Sequence, residues 1–169
     1  VFYEGWIAEA MVKHLQAKGG ILSLADLQGY RPVKREPLRL TLGPYTLLTV
    51  GVPACGAVII HALGVLEHTL KKTSGEYPTW HAMIEALKYA YGGRMSLGDG
   101  KHETEAILVD PNVIIKHARS IDWQRTHEPV HYLRDYPKAF DPDHSQGTTH
   151  VSIIDEAGMA VSCTDTVNL

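Results

Sequence analysis

Hydrophobic and polar positions alternate with two different periods along this chain, and the switches between them mark out its elements. Trp6, Ala10, Met11 and Leu15 recur at helical spacing until Gly19-Gly20, and Ser23 to Asp26 reads as the capped start of a short helix. Leu38, Leu40 and Leu42 then alternate with Arg39 and Thr41, and Tyr45 to Val50 forms a second strand across a Gly43-Pro44 turn. The stretch Gly56 to Leu70 is too apolar for a surface helix. Val58, Ile59, Ala62, Leu63 and Leu66 are expected on its buried face. A further helix is predicted over Thr79 to Met95 and another after Pro111. Residues Glu128 to Gln146, with three prolines and many charges, read as a loop.

The last two segments are the most informative. Thr148 to Ile154 and Met159 to Asn168 each alternate with period two, and Glu156-Ala157-Gly158 between them fits a three-residue hairpin loop with Gly158 in the left-handed conformation. Counting outward pairs Asp155 with Met159, Ser152 with Ser162, His150 with Thr164 and Thr148 with Thr166. One face then carries Thr148, His150, Ser152, Ser162, Thr164, Thr166 and Asn168. The other carries Val151, Ile153, Met159, Val161, Cys163 and Val167. A two-residue loop would scramble that segregation. The same pattern also fits an ordinary hairpin with one wet face.

Composition narrows the field. A chain of 169 residues with 44% hydrophobic content can bury a core, and a formal net charge of −3 argues against nucleic acid as the main partner. Cys55 and Cys163 sit among small or apolar residues and are expected to be buried free thiols. No cofactor is indicated. No apolar run reaches membrane-spanning length. His127-Glu128-Pro129-Val130-His131 satisfies a zinc-protease pattern that works only on a helix. Pro129 either breaks that helix or begins it, and in the second case His127 is left outside, so metal binding is not expected. The remaining histidines read as scattered surface or packing residues, and His150 as structural.

Several ordered motifs together resemble one family. Gly147-Thr148-Thr149-His150, the strand ending in Asp155, the Gly158 turn and Ala160-Val161-Ser162-Cys163-Thr164-Asp165-Thr166-Val167-Asn168 are similar to the start of the small subunit in the gamma-glutamyltranspeptidase family. Phe2 to Ala8, Gly19 to Leu22, Pro37-Leu38 and His81 to Tyr91 with Arg94 resemble its large subunit, in order. The resemblance implies an α+β fold, a partial N-terminal-nucleophile hydrolase αββα sandwich. It divides the chain into residues 1–147, the end of a large subunit, and 148–169, the first hairpin of a small one. It also implies self-cleavage between Gly147 and Thr148, Thr148 as nucleophile, Thr166 orienting it and Asn168 holding the substrate. The implied donor is glutathione or another gamma-glutamyl compound, the acceptor an amino acid, a peptide or water, and the two subunits form a heterodimer. The implied location is the extracellular face, the periplasm or the vacuole. An acylase of the cephalosporin type and a noncatalytic paralogue are the rival readings.

The chain also departs from the family's usual pattern. Tyr91-Gly92-Gly93-Arg94 stands where Tyr-Ala-Asp-Arg is usual, Val52-Pro53-Ala54-Cys55-Gly56-Ala57 replaces a Pro-rich turn with Ser-Ser-Gly-Gly, and Gly98-Asp99-Gly100 replaces Gly-Asp-Pro. Two glycines late in a helix are each expected to weaken it by about 1 kcal/mol.

Overall fold

Local signals build a small first unit, Val1–Arg35. The structure is a computed structural model that describes residues 1–71, 75–100, 102–136 and 148–166. Helix α1 (Trp6–Gln16) ends where Gly19 takes a positive φ of 83°. Its buried residues are Ala8 and Val12, whereas Trp6 is 70% exposed, so the stripe expected from spacing is not the buried one. Helix α2 (Leu24–Gly29) is capped reciprocally: the Asp26 N–H donates to Ser23 Oγ at 3.2 Å and the Ser23 N–H to Asp26 Oδ2 at 2.8 Å.

The second unit, Glu36–Leu169, is organised around one helix. Strands β1 (Leu38–Leu42) and β2 (Tyr45–Thr49) form an antiparallel hairpin turning at Gly43, and Leu38, Leu40 and Leu47 face the core. Helix α3 (Gly56–Leu70) packs against β1 and against α4 (Glu76–Arg94), α5 (His102–Val109) and α6 (Pro111–Ser120). Ile60 and Val65 of α3 meet Ala86 and Tyr89 of α4 and Ile114 of α6. Ala57 and Val58 meet Ala90 and Leu108. The buried face of α3 therefore differs from the expected one. Ile59 is 49% exposed, and His61 is fully buried in its place. Apolar character alone could not rank these positions, because α3 is surrounded on several sides.

Helix α4 begins earlier than expected, since Pro78 falls in its first turn, where a missing N–H costs nothing. Helix α5 spans only eight residues, too few for a helical period to stand out in the sequence. Helix α7 (Pro129–Tyr132) is a single turn within the expected loop. Strands β3 (Thr148–Ile154) and β4 (Ala160–Thr166) pair with each other and pack on no other described helix or strand. Cys163 is consequently exposed, as is Cys55 at the start of α3, so neither thiol is buried as expected. No described helix is long and apolar enough to cross a membrane.

Candidate active site

The β3–β4 turn fixes what lies opposite what. Gly158 adopts φ 83°, its N–H donates to the Asp155 carbonyl at 3.0 Å, and the Asp155 N–H donates to the Met159 carbonyl at 3.0 Å. Asp155 Oδ1 also accepts from the Met159 N–H at 2.8 Å. This is the three-residue loop predicted from sequence, and the register follows as counted: Ile154 faces Ala160, Ser152 faces Ser162, His150 faces Thr164 and Thr148 faces Thr166.

At the open end of the hairpin the Thr148 hydroxyl donates to Thr166 Oγ1 at 3.0 Å. One rung nearer the turn, His150 Nδ1 lies 2.7 Å from Thr164 Oγ1, and its Nε2 lies 2.9 Å from Ser152 Oγ and 3.2 Å from Ser162 Oγ. Thr148 and Thr166 are thus brought together as the alternation requires. Gly147, Val167 and Asn168 lie outside the described residues. The opposite face carries Val151, Ile153 and Val161, each about half exposed.

A threonine hydroxyl is a weak nucleophile until a base takes its proton, and a second hydroxyl can only orient it. If Thr148 becomes a chain terminus, its α-amine, with a reference pKa of about 7.7 to 8.0, supplies that base on the nucleophile's own residue. The Thr148–Thr166 contact then limits the rotamers of the attacking oxygen.

The zinc-protease pattern resolves as the proline argument requires. The helix begins at Pro129 and leaves His127 outside it. The His127 and His131 rings stack at 4.0 Å, His127 Nε2 lies 3.7 Å from Asp122, and the Arg134 guanidinium reaches His131 Nδ1. Among the described residues no group of three or more His, Cys, Asp or Glu is arranged to hold a metal ion.

Two buried polar networks escaped the sequence reading. In the first, the Leu108 carbonyl can only accept, so His61 Nδ1 carries a proton to it at 2.8 Å, and His61 Nε2 lies 2.8 Å from His117 Nδ1. His117 Nε2 then meets Asp135 Oδ2 at 2.7 Å, and Lys116 Nζ binds the other carboxylate oxygen. Burial pushes His61 down to about 4. Burial also holds His117 below its ordinary value, with the Asp135 bond opposing. The two histidines are far apart in sequence; only the position of His61 among the apolar residues of α3 hinted at this.

In the second network, Glu85 is 1% exposed and accepts from the Thr126 hydroxyl and the Tyr132 hydroxyl, each at 2.7 Å. Lys88 donates to the His127 carbonyl at 3.0 Å and sits 4.5 Å from the Tyr132 ring centre. A cleft of about 850 Å³ opens beside this network, between Trp80 and Ile84 of α4 and Trp123 to Thr126. No described hairpin residue lines it.

The glycine pair in α4 has a packing reason. A Cβ on Gly92 would stand 2.2 Å from the Tyr132 carbonyl oxygen, and one on Gly93 would stand 2.4 Å from Leu108 Cδ2 and 2.8 Å from the Tyr136 ring. The expected loss of helix propensity is therefore offset by the close approach of the segment around α7, which brings Tyr132 and Tyr136 into the core. Arg94 lies over the Tyr91 ring at 5.6 Å.

Comparison with known proteins places the whole chain. The sequence pattern of the family described as gamma-glutamyltranspeptidase matches residues 1–169. The chain is 34% identical over 178 residues to scoloptoxin SSD14 of Scolopendra dehaani, covering 99% of this chain and 30% of that one. It is 31% identical over 179 residues to the glutathione hydrolase 5 proenzyme of Mus musculus, covering 99% and 31%. It thus spans about a third of the length of these relatives. Among solved structures it is similar to the gamma-glutamyltranspeptidase of Pseudomonas nitroreducens complexed with L-DON, with TM-score 0.67 and 25% identity over 76% of this chain and 41% of that one. The cephalosporin acylase of Bacillus halodurans shares the fold, with TM-score 0.62 and 24% identity over 72% and 23%. The architecture is accordingly part of the N-terminal-nucleophile hydrolase fold. A match running the full length of the sequence, joined to a threonine-lined hairpin in the register its motifs require, means that this chain belongs to the gamma-glutamyltranspeptidase family.

Proposed function

We propose that this chain is the part of a self-processing precursor that spans the end of its large subunit, residues 1–147, and the start of its small subunit, residues 148–169, and that the mature protein transfers or hydrolyses gamma-glutamyl groups. Cleavage between Gly147 and Thr148 frees the Thr148 amine. That amine takes the proton of the Thr148 hydroxyl as Oγ1 attacks the gamma-carbonyl carbon of a glutathione-like donor. The carbon–nitrogen bond then breaks, the leaving amine takes the proton, and a gamma-glutamyl ester remains on Thr148. Water, an amino acid or a peptide amine attacks that ester and regenerates the hydroxyl. Thr166 orients the nucleophile, and Asn168 holds the glutamyl group. The two subunits stay together as a heterodimer, placed by family resemblance on the extracellular face, in the periplasm or in the vacuole.

The observation that carries this reading is the 3.0 Å hydrogen bond from Thr148 to Thr166 across the hairpin. The altered Gly92-Gly93 pair does not favour a noncatalytic paralogue, because the packing of Tyr132 and Tyr136 accounts for it. Likeness to the acylase concerns the fold and leaves the acyl group to experiment. The complete precursor, assayed with gamma-glutamyl anilide and with glutaryl anilide, should turn over the first and not the second, and Thr148→Ala should abolish turnover. Preference for the glutaryl compound would favour the acylase, and inertness toward both would overturn the reading.

A further inference from the structure

The Thr148–Thr166 pair stands at the end of the hairpin where the turn helps least. Seven residue pairs separate the Gly158 loop from that end, from Ile154 with Ala160 out to Thr148 with Thr166. An isolated two-stranded hairpin is marginal in water and frays first at its open end. A slip of one residue would carry Thr166 to the opposite face and lose the contact with Thr148 altogether. A tie across the strands close to this end would guard against that slip.

We propose that His150 is the positioning residue of this site: its ring bonds Thr164 and Ser162 on the opposite strand and Ser152 on its own, and so holds the nucleophile's rung in register. The inference rests on the proposed role of Thr148. His150 lies one rung from Thr148 on the same face, a strand-pair step of roughly 6.5 to 7 Å. Both its nitrogens are engaged: Nδ1 with Thr164 at 2.7 Å, and Nε2 with Ser152 at 2.9 Å and Ser162 at 3.2 Å. The last two lie toward the turn, away from the nucleophile. His150 acts on Thr148 through the strands.

The choice of partners matters. Hydroxyls both donate and accept, so a neutral imidazole donates from one nitrogen and accepts at the other, while an imidazolium donates from both. Either charge state keeps the strands tied. The clamp therefore needs no proton transfer, which separates it from a role as base.

The test compares His150→Leu, which keeps bulk and removes both polar arms, with His150→Asn, whose amide can retain the Thr164 bond. Each is made in the complete precursor, and self-cleavage, kcat and KM on gamma-glutamyl anilide, pH profiles and melting temperature are measured. His150→Leu should slow both cleavage and kcat by about tenfold or more with KM little changed, as expected of a misaligned nucleophile. His150→Asn should recover most of both rates, with the same pH profile as the unaltered protein and a melting temperature equal to that of His150→Leu. Wild-type rates in His150→Leu would overturn the inference. So would equal impairment of both variants in step with lost melting temperature, or an ionisation missing from the His150→Asn cleavage profile, which would make His150 the base. An unaltered precursor that neither cleaves nor turns over substrate would instead defeat the functional reading on which the inference rests.

Discussion

Gly92→Ala tests whether the close approach of α7 to α4 is what the chain's unusual glycines serve. The new Cβ would meet the Tyr132 carbonyl oxygen at 2.2 Å and its carbonyl carbon at 2.9 Å. Both are backbone atoms that cannot rotate aside, so α7 or α4 must move. Tyr132 is 3% exposed, packs in the core and gives its hydroxyl hydrogen to Glu85, so movement there also strains the buried network. Forcing a methyl into such a site costs roughly 1 to 3 kcal/mol, and contact with backbone belongs at the upper end. Replacing a helical glycine returns about 1 kcal/mol. The net expectation is destabilisation by about 1 to 2 kcal/mol, or a loss of roughly 4 °C for a cooperative unit of this size. At Gly93 the obstacles are the tip of Leu108 and the edge of the Tyr136 ring, which can yield more easily, so Gly93→Ala should cost less. Thermal unfolding of the complete protein and both variants, followed by circular dichroism, would check the order. A Gly92→Ala protein melting at or above the parent would refute the reasoning, because helix propensity would then outweigh the contact.

Three further outcomes are expected. Because burial lowers His61 from 6.5 to about 4, the folded state resists the proton that the unfolded chain accepts. The stabilising contribution, about 3 kcal/mol, is present in full above pH 6.5 and drains away as pH falls toward 4. Melting temperature should therefore drop on acidification through that range, and the drop should shrink in His61→Gln. Thr166→Ala in the complete precursor should slow both self-cleavage and acylation, read by gel and by anilide release, with substrate affinity less affected. The 169-residue chain alone should be inactive toward gamma-glutamyl anilide and prone to aggregate, measured by light scattering, since Val151, Ile153 and Val161 of its hairpin are exposed and the outer edges of β3 and β4 pair with no other described strand.

What could be read from sequence was local. The β3–β4 register follows from one glycine and strict alternation, and the bounds of α3 from a stretch rich in apolar residues that starts at Gly56 and ends at Leu70. What could not be read depended on which element comes to lie against which. The buried side of α3 is set by three helices and two strands packed around it, so spacing points to Ile59 as core where His61 is buried instead. His117 and Asp135 meet His61 only in the folded chain. Gly92 and Gly93 looked like helix weaknesses until the Tyr132 carbonyl supplied their reason. Alternation puts Cys163 on the apolar face of β4, but that strand packs on no described helix or strand besides its partner β3.

The proposed chemistry requires Thr148 to become a chain terminus. Its most direct test is to express the complete precursor and its Thr148→Ala variant and determine the first residue of the small subunit by N-terminal sequencing and intact mass. The parent protein should yield a small subunit beginning at Thr148, and the variant should remain a single chain. A different first residue, or cleavage that persists in Thr148→Ala, would contradict it.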